Sequence, residues 1–125
     1  MDESGDKSVK LPTFSGKLED FQIWWTCFMA YAVVYKFKEA LKQGGEDDLP
    51  TGKDDTIDET MDAGKKQALA KKMNVVAMAN FSMGFTMEAT MGILYRVMTP
   101  NWPSGLAYKV VEELKKKYQP QDTIS

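Results

Sequence analysis

Apolar residues recur at helical spacing along most of this chain. Between residues 18 and 43, Phe21, Trp24, Trp25, Phe28, Ala32 and Tyr35 return every third or fourth position, which places them on one helix face. Glu19 and Asp20 suit the positive dipole end of that helix, and Lys36, Lys38 and Lys42 the negative end. A break between Val34 and Lys36 is expected, then a second short helix carrying Phe37, Ala40 and Leu41 that stops at Gly44-Gly45. The next helix is predicted over residues 62–84. Leu69, Met73, Val76, Ala77 and either Asn80 or Phe81 trace its inner face, and Lys65, Lys66, Lys71 and Lys72 its outer one. Residues 75–79 are apolar on nearly all sides, which predicts a central helix touched by several neighbours. Thr86 is the expected N-cap of a helix over residues 87–98. Ser104 is the expected cap of a last helix, in which Leu106, Val110, Leu114 and Tyr118 recur every fourth residue, Ala107 and Val111 widen the stripe, and Pro120 ends it. No stretch alternates apolar with polar residues, so no strand is predicted. The fold class that follows is all-α, a compact bundle of about five helices with an acidic loop between the second and third.

Outside these helices the pattern lapses. Residues 1–10 are small, polar and charged and are expected to form a disordered lead. Leu11-Pro12-Thr13-Phe14-Ser15-Gly16 is expected to be extended, because Pro12 disfavours helix at Leu11, with Phe14 tucked onto the domain as an anchor. Residues 44–61 combine glycines, Pro50 and seven acidic side chains (Glu46, Asp47, Asp48, Asp54, Asp55, Asp58 and Glu59). Their spacing does not fit a calcium-binding D-x-[DN]-x-[DN]-G loop, so a solvated loop is expected. The helical domain is expected over residues 11–120, with residues 121–125 starting a linker to a further domain.

Chemistry narrows the reading. The chain has 125 residues, the size of one domain, and 43% hydrophobic residues, enough for one core. Its formal net charge of −2 gives no global attraction for a phosphate backbone. Histidine is absent, which removes the commonest general base and metal ligand. The single cysteine, Cys27, cannot form an internal disulfide or a zinc site, and cytosolic residence is expected. No phosphate-binding glycine loop, nucleophile elbow or zinc-protease motif is present. No catalytic, metal or cofactor residue is therefore predicted, and the chain is not expected to be an enzyme.

Cys27 sits in an aromatic helix and is expected to be a small core hydrophobe. Trp24 and Trp25 diverge by about 100°, so one can enter the core while the other faces another helix or a groove. Lys115-Lys116-Lys117 reads as a solvated helix end rather than an RNA or membrane contact. The nine methionines read as core filling or as an adaptable helix–helix interface. The acidic start is no signal peptide, and no apolar run is long enough to span a bilayer.

Two blocks of residues go further. The first is Phe14-Ser15-Gly16, then Phe21-Gln22-Ile23-Trp24-Trp25, Phe28, and Phe37-Lys38-Glu39-Ala40-Leu41. The second is Trp102-Pro103-Ser104-Gly105-Leu106-Ala107-Tyr108, then Leu114 and Tyr118-Gln119-Pro120-Gln121-Asp122. In order and spacing they resemble copia-type retrotransposon Gag proteins, in the N-terminal domain of the capsid region. Lys36 departs from that pattern, standing where the family often has glycine before the aromatic. The zinc knuckle of many Gag proteins is also absent, as are protease, integrase and polymerase signatures.

The resemblance implies a structural domain that self-associates into the shell of a cytoplasmic virus-like particle. It implies contacts with copies of itself, a second helical capsid domain beyond residue 125, only weak or indirect contact with RNA, and none with membrane. The motif residues it singles out are Phe14, Phe21, Trp24, Trp25, Phe28, Phe37, Leu41, Trp102, Gly105, Ala107, Leu114, Tyr118 and Pro120. The alternative is a domesticated, Gag-derived module that binds a peptide helix in an apolar groove.

Overall fold

The computed structural model describes residues 10–42, 60–100, 102 and 105–118. The acidic loop, the Gly44-Gly45 stop, Ser104 and Pro120 lie outside them. The described residues form an all-α fold of four α-helices: α1 Phe21–Val34, α2 Asp62–Gly84, α3 Glu88–Arg96 and α4 Ala107–Tyr118. Short 3-10 helices at Leu18–Asp20 and Lys38–Leu41 flank α1.

α1 buries Phe21, Trp24, Phe28 and Ala32, the three- and four-residue spacing of its aromatic stripe. Tyr35, expected on that stripe, lies past the last turn and is exposed. The helix ends in a 6→1 turn: Phe37 N–H donates to Ala32 O at 3.0 Å and Lys36 N–H to Val33 O at 3.3 Å. Such a turn needs left-handed backbone at its hinge, and Lys36 has φ 65°. Glycine reaches that region without the Cβ penalty. We therefore expect Lys36→Gly to stabilise the protein by about 0.5–1 kcal/mol, read as a higher urea midpoint. An unchanged or lower midpoint would contradict that account of the turn.

Of the predicted inner face of α2, Ala77, Asn80 and Phe81 are buried and Met73 and Val76 pack partly buried against the core. Ala70, Asn74 and Gly84 are buried as well, whereas Leu69 is 57% exposed. The inner face is wider than predicted at Ala70, Asn74 and Gly84, because small side chains let neighbouring elements approach and Asn74 makes two inward hydrogen bonds. Val75 and Ala79 are exposed, so residues 75–79 are not enclosed on all sides. α2 nonetheless packs against the 3-10 helix Lys38–Leu41, α3 and α4.

Thr86 does not cap α3. Its hydroxyl donates to Phe14 O at 2.8 Å, and Met87 occupies the cap position without a side-chain bond. α3 is accordingly shorter than predicted, starting at Glu88 and ending at Arg96. The entry segment is laid against the end of α2: Phe14 N–H donates to Gly84 O at 2.8 Å, and Phe14 and Phe85 form an isolated parallel bridge. Gly16 follows at φ 86°, where a Cβ would lie 2.5 Å from Met87 Cγ, so both backbone and space call for glycine.

α4 buries Ala107, Val110, Val111, Leu114 and Tyr118. It is started from across the molecule. Asn74 Oδ1 accepts from Ala107 N–H at 2.7 Å, and Asn74 Nδ2 donates to Gly105 O at 3.0 Å. Gly105 has φ 87°, and a Cβ there would meet Met78 Cε and Val97 Cγ2 at 2.9 Å.

Candidate functional site

The motif residues from the two ends of the chain converge on one aromatic cluster. Phe14 stacks on Trp24 at 4.9 Å and meets Tyr118 edge-on at 4.9 Å and Phe21 at 5.7 Å. Phe21 also stacks on Tyr118 at 5.5 Å. Trp24 continues to Phe28 at 4.9 Å, and Phe28 to Phe37 at 5.8 Å and Phe81 at 4.9 Å. These offset and edge-on geometries are the favourable ones for aromatic pairs. Trp24 Nε1 donates to Pro12 O at 3.3 Å, so burial of the indole leaves its N–H satisfied. Leu41, Gly105, Ala107 and Leu114 are buried beside the cluster, and Trp102 is half-buried in the connector before α4. In that connector, the N–H groups of Thr99 and Trp102 each donate to the other's carbonyl at 3.0 Å.

Trp25, like Trp102, is left partly open. It stacks on Phe21 at 6.1 Å and turns its free side to a groove of about 340 Å³ between α1, Leu41 and α4. Met29, Tyr108 and Val111 give the groove an apolar lining, and Lys115 Nζ stands 5.8 Å from the Trp25 ring centroid. A cation over an indole beside apolar side chains offers affinity for an apolar group carrying negative charge. It offers no nucleophile paired with a base.

A smaller cleft of about 260 Å³ runs along the outer side of α1, between Pro12, Asp20, Ile23 and Cys27. Cys27 is exposed here, against the expectation of a core position. The helix turns Phe21, Trp24, Phe28 and Ala32 inward, and Cys27 falls on the outer side with Ile23, which is 71% exposed.

No protein-family model, curated protein or solved structure matches this chain.

The charged residues around these surfaces form exposed or half-exposed pairs, such as Lys42–Glu39 at 3.2 Å and Lys109–Glu112 at 3.5 Å. Pairs of this kind contribute little to stability. Burial, with the neighbouring Tyr35, raises the Tyr31 phenol above its ordinary value, further from neutrality and from use as a base. Among the described residues no group of three Asp, Glu or Cys side chains is arranged to hold a metal ion, and no helix is long and apolar enough to cross a membrane.

The residue that sequence reasoning missed is Asn74. Its signal was an amide at helical spacing from Ala70, Ala77 and Phe81, just before an apolar run.

Proposed function

We propose that this domain is a structural capsid domain of the copia-type Gag kind, which self-associates into the shell of a virus-like particle. In this reading it performs no catalysis, works in the cytoplasm, touches mainly copies of itself and meets the enclosed RNA weakly. A second helical domain would complete the capsid unit.

The observation that carries the reading is the turn after α1. The Gag pattern often has glycine where this chain has Lys36, and Lys36 adopts the left-handed backbone that glycine favours. The departure at Lys36 is thus compatible with a glycine-type turn at this position, which supports the reading. The meeting of Phe14 and Phe21 with Tyr118 adds to this, because it joins the two motif blocks in one core.

The test is assembly. At rising protein concentration, sedimentation should give oligomers, and electron microscopy sheets, tubes or closed shells. A chain that remains monomeric at every concentration and salt would overturn the proposal.

The groove at Trp25 and Lys115 favours a second reading, capture of an apolar peptide helix that carries acidic residues. A monomeric domain that binds such a peptide one-to-one, with binding lost in Trp25→Ala, would replace the first reading by this one.

A further inference from the structure

Helix α1 carries no charged residue from Phe21 to Val34, although half of its surface faces outward. Its outer stripe is Ile23, Cys27, Ala30 and Val34, all exposed, with Thr26 and Val33 beside it. At about 100° per residue these four lie within about 60° of one another, on the side away from Phe21, Trp24, Phe28 and Ala32. A solvated helix face ordinarily carries charged or polar side chains. The charges stand instead at its two ends. Glu19 and Asp20 precede the helix, and Lys36 and Lys38 follow it, all exposed. Among the described residues Glu19, Lys36 and Lys38 have no ion-pair partner.

We propose that this stripe is a contact between two copies of the chain, whose α1 helices pack antiparallel about a two-fold axis between Cys27 and Ala30. The order of the residues argues for a second copy rather than a different partner. Read in either direction the stripe runs branched aliphatic, small, small, branched aliphatic. Reversal therefore places Ile23 beside Val34 of the second copy and Cys27 beside its Ala30. Small residues at the crossing let the helices approach closely, at the lower end of the usual 8–10 Å.

The same reversal brings Glu19 and Asp20 of one copy beside Lys36 and Lys38 of the other, on both flanks. A parallel pairing would oppose like charges, so the ends select the antiparallel arrangement. A helix of 14 residues is about 21 Å long, and one face of it offers well under the roughly 800 Å² per partner of a stable isolated pair. The contact is accordingly weak alone and suited to an assembly in which many copies act together. It rests on the capsid reading and names the surface that reading leaves open.

Cys27 is the single cysteine and lies next to the proposed axis, so it reports on the contact directly. In the antiparallel arrangement the two thiols come within about 10 Å of each other. A short bismaleimide added to the full chain should yield a covalent dimer whose fraction rises with protein concentration. Ala30→Glu places a charge at the crossing of an exposed position and should lower that yield at least about tenfold, equivalent to 1.4 kcal/mol. Circular dichroism should show it folded. Glu19→Lys should also lower the yield, and the double variant Glu19→Lys/Lys38→Glu should restore it.

The inference is overturned if Cys27 takes up reagent without dimer at any concentration. It is equally overturned if the yield ignores both Ala30→Glu and the charge reversal. Particles that still form in Ala30→Glu would leave the capsid reading standing with its contact elsewhere. A chain that neither cross-links nor assembles would remove both.

Discussion

Alanine in place of Phe14 is expected to lower the unfolding free energy by about 3–5 kcal/mol. Phe14 belongs to no helix, yet it is fully buried and touches Phe21, Trp24 and Tyr118. Its backbone is tied to Gly84 and Thr86 at the end of α2. Removal of the ring opens a cavity between the entry segment, α1 and α4, where rigid aromatic walls collapse poorly. Domain stabilities are about 5–15 kcal/mol, so the loss is a large share of the total. Chemical denaturation would measure it. Phe14→Leu, which keeps most of the volume, should recover part of the difference. A loss below about 1 kcal/mol in the alanine variant would mean that the entry segment is not part of the core.

The second large effect is expected at Asn74. Alanine there leaves the Ala107 N–H and the Gly105 carbonyl buried without their partner, at a cost of about 2–4 kcal/mol in total. Asn74→Asp discriminates packing from hydrogen bonding, because its shape is almost unchanged. The introduced carboxylate can still accept from Ala107 N–H, but its other oxygen faces the Gly105 carbonyl. Burial and that repulsion raise the folded pKa of the carboxyl above its unfolded value of about 3.9. A raised folded pKa means that stability is greatest below about pH 4 and falls as pH rises towards the folded value. The aspartate variant should therefore gain on the wild type as the solution is acidified. Equal pH profiles for the two proteins would argue that Asn74 acts by volume alone.

These two positions also mark where the sequence was legible and where it was not. α1 and α4 could be read directly, because Phe21, Trp24 and Phe28, and Val110, Leu114 and Tyr118, recur at helical spacing and are all buried. The break at Lys36 was visible because the periodic stripe stops there. α2 was located from its pattern, and Met73, Val76, Ala77 and Phe81 do face the core, but Leu69 is exposed and part of the face was missed. The missed contacts are made by Ala70, Asn74 and Gly84, whose value lies in closeness and hydrogen bonding rather than hydrophobicity.

Thr86 was misread for a related reason. A threonine before a helix satisfies a local rule, but here its hydroxyl bonds to a carbonyl 72 residues away. Cys27 was assigned inward because its residue type usually is, while its helical phase relative to Phe28 and Trp24 places it outward. In each case a long-range partner or a helical phase overrode residue type.

The contact between the Phe14 and Tyr118 rings, 4.9 Å apart, brings together two positions far apart in sequence. The rings hold the entry segment against the last turn of α4, so exposed Thr13 and Lys117, one beside each ring in sequence, are held near each other. A donor and an acceptor fluorophore attached there would transfer energy efficiently in the native fold. That signal would fall sharply on denaturation, giving a direct optical readout of whether the aromatic cluster is intact.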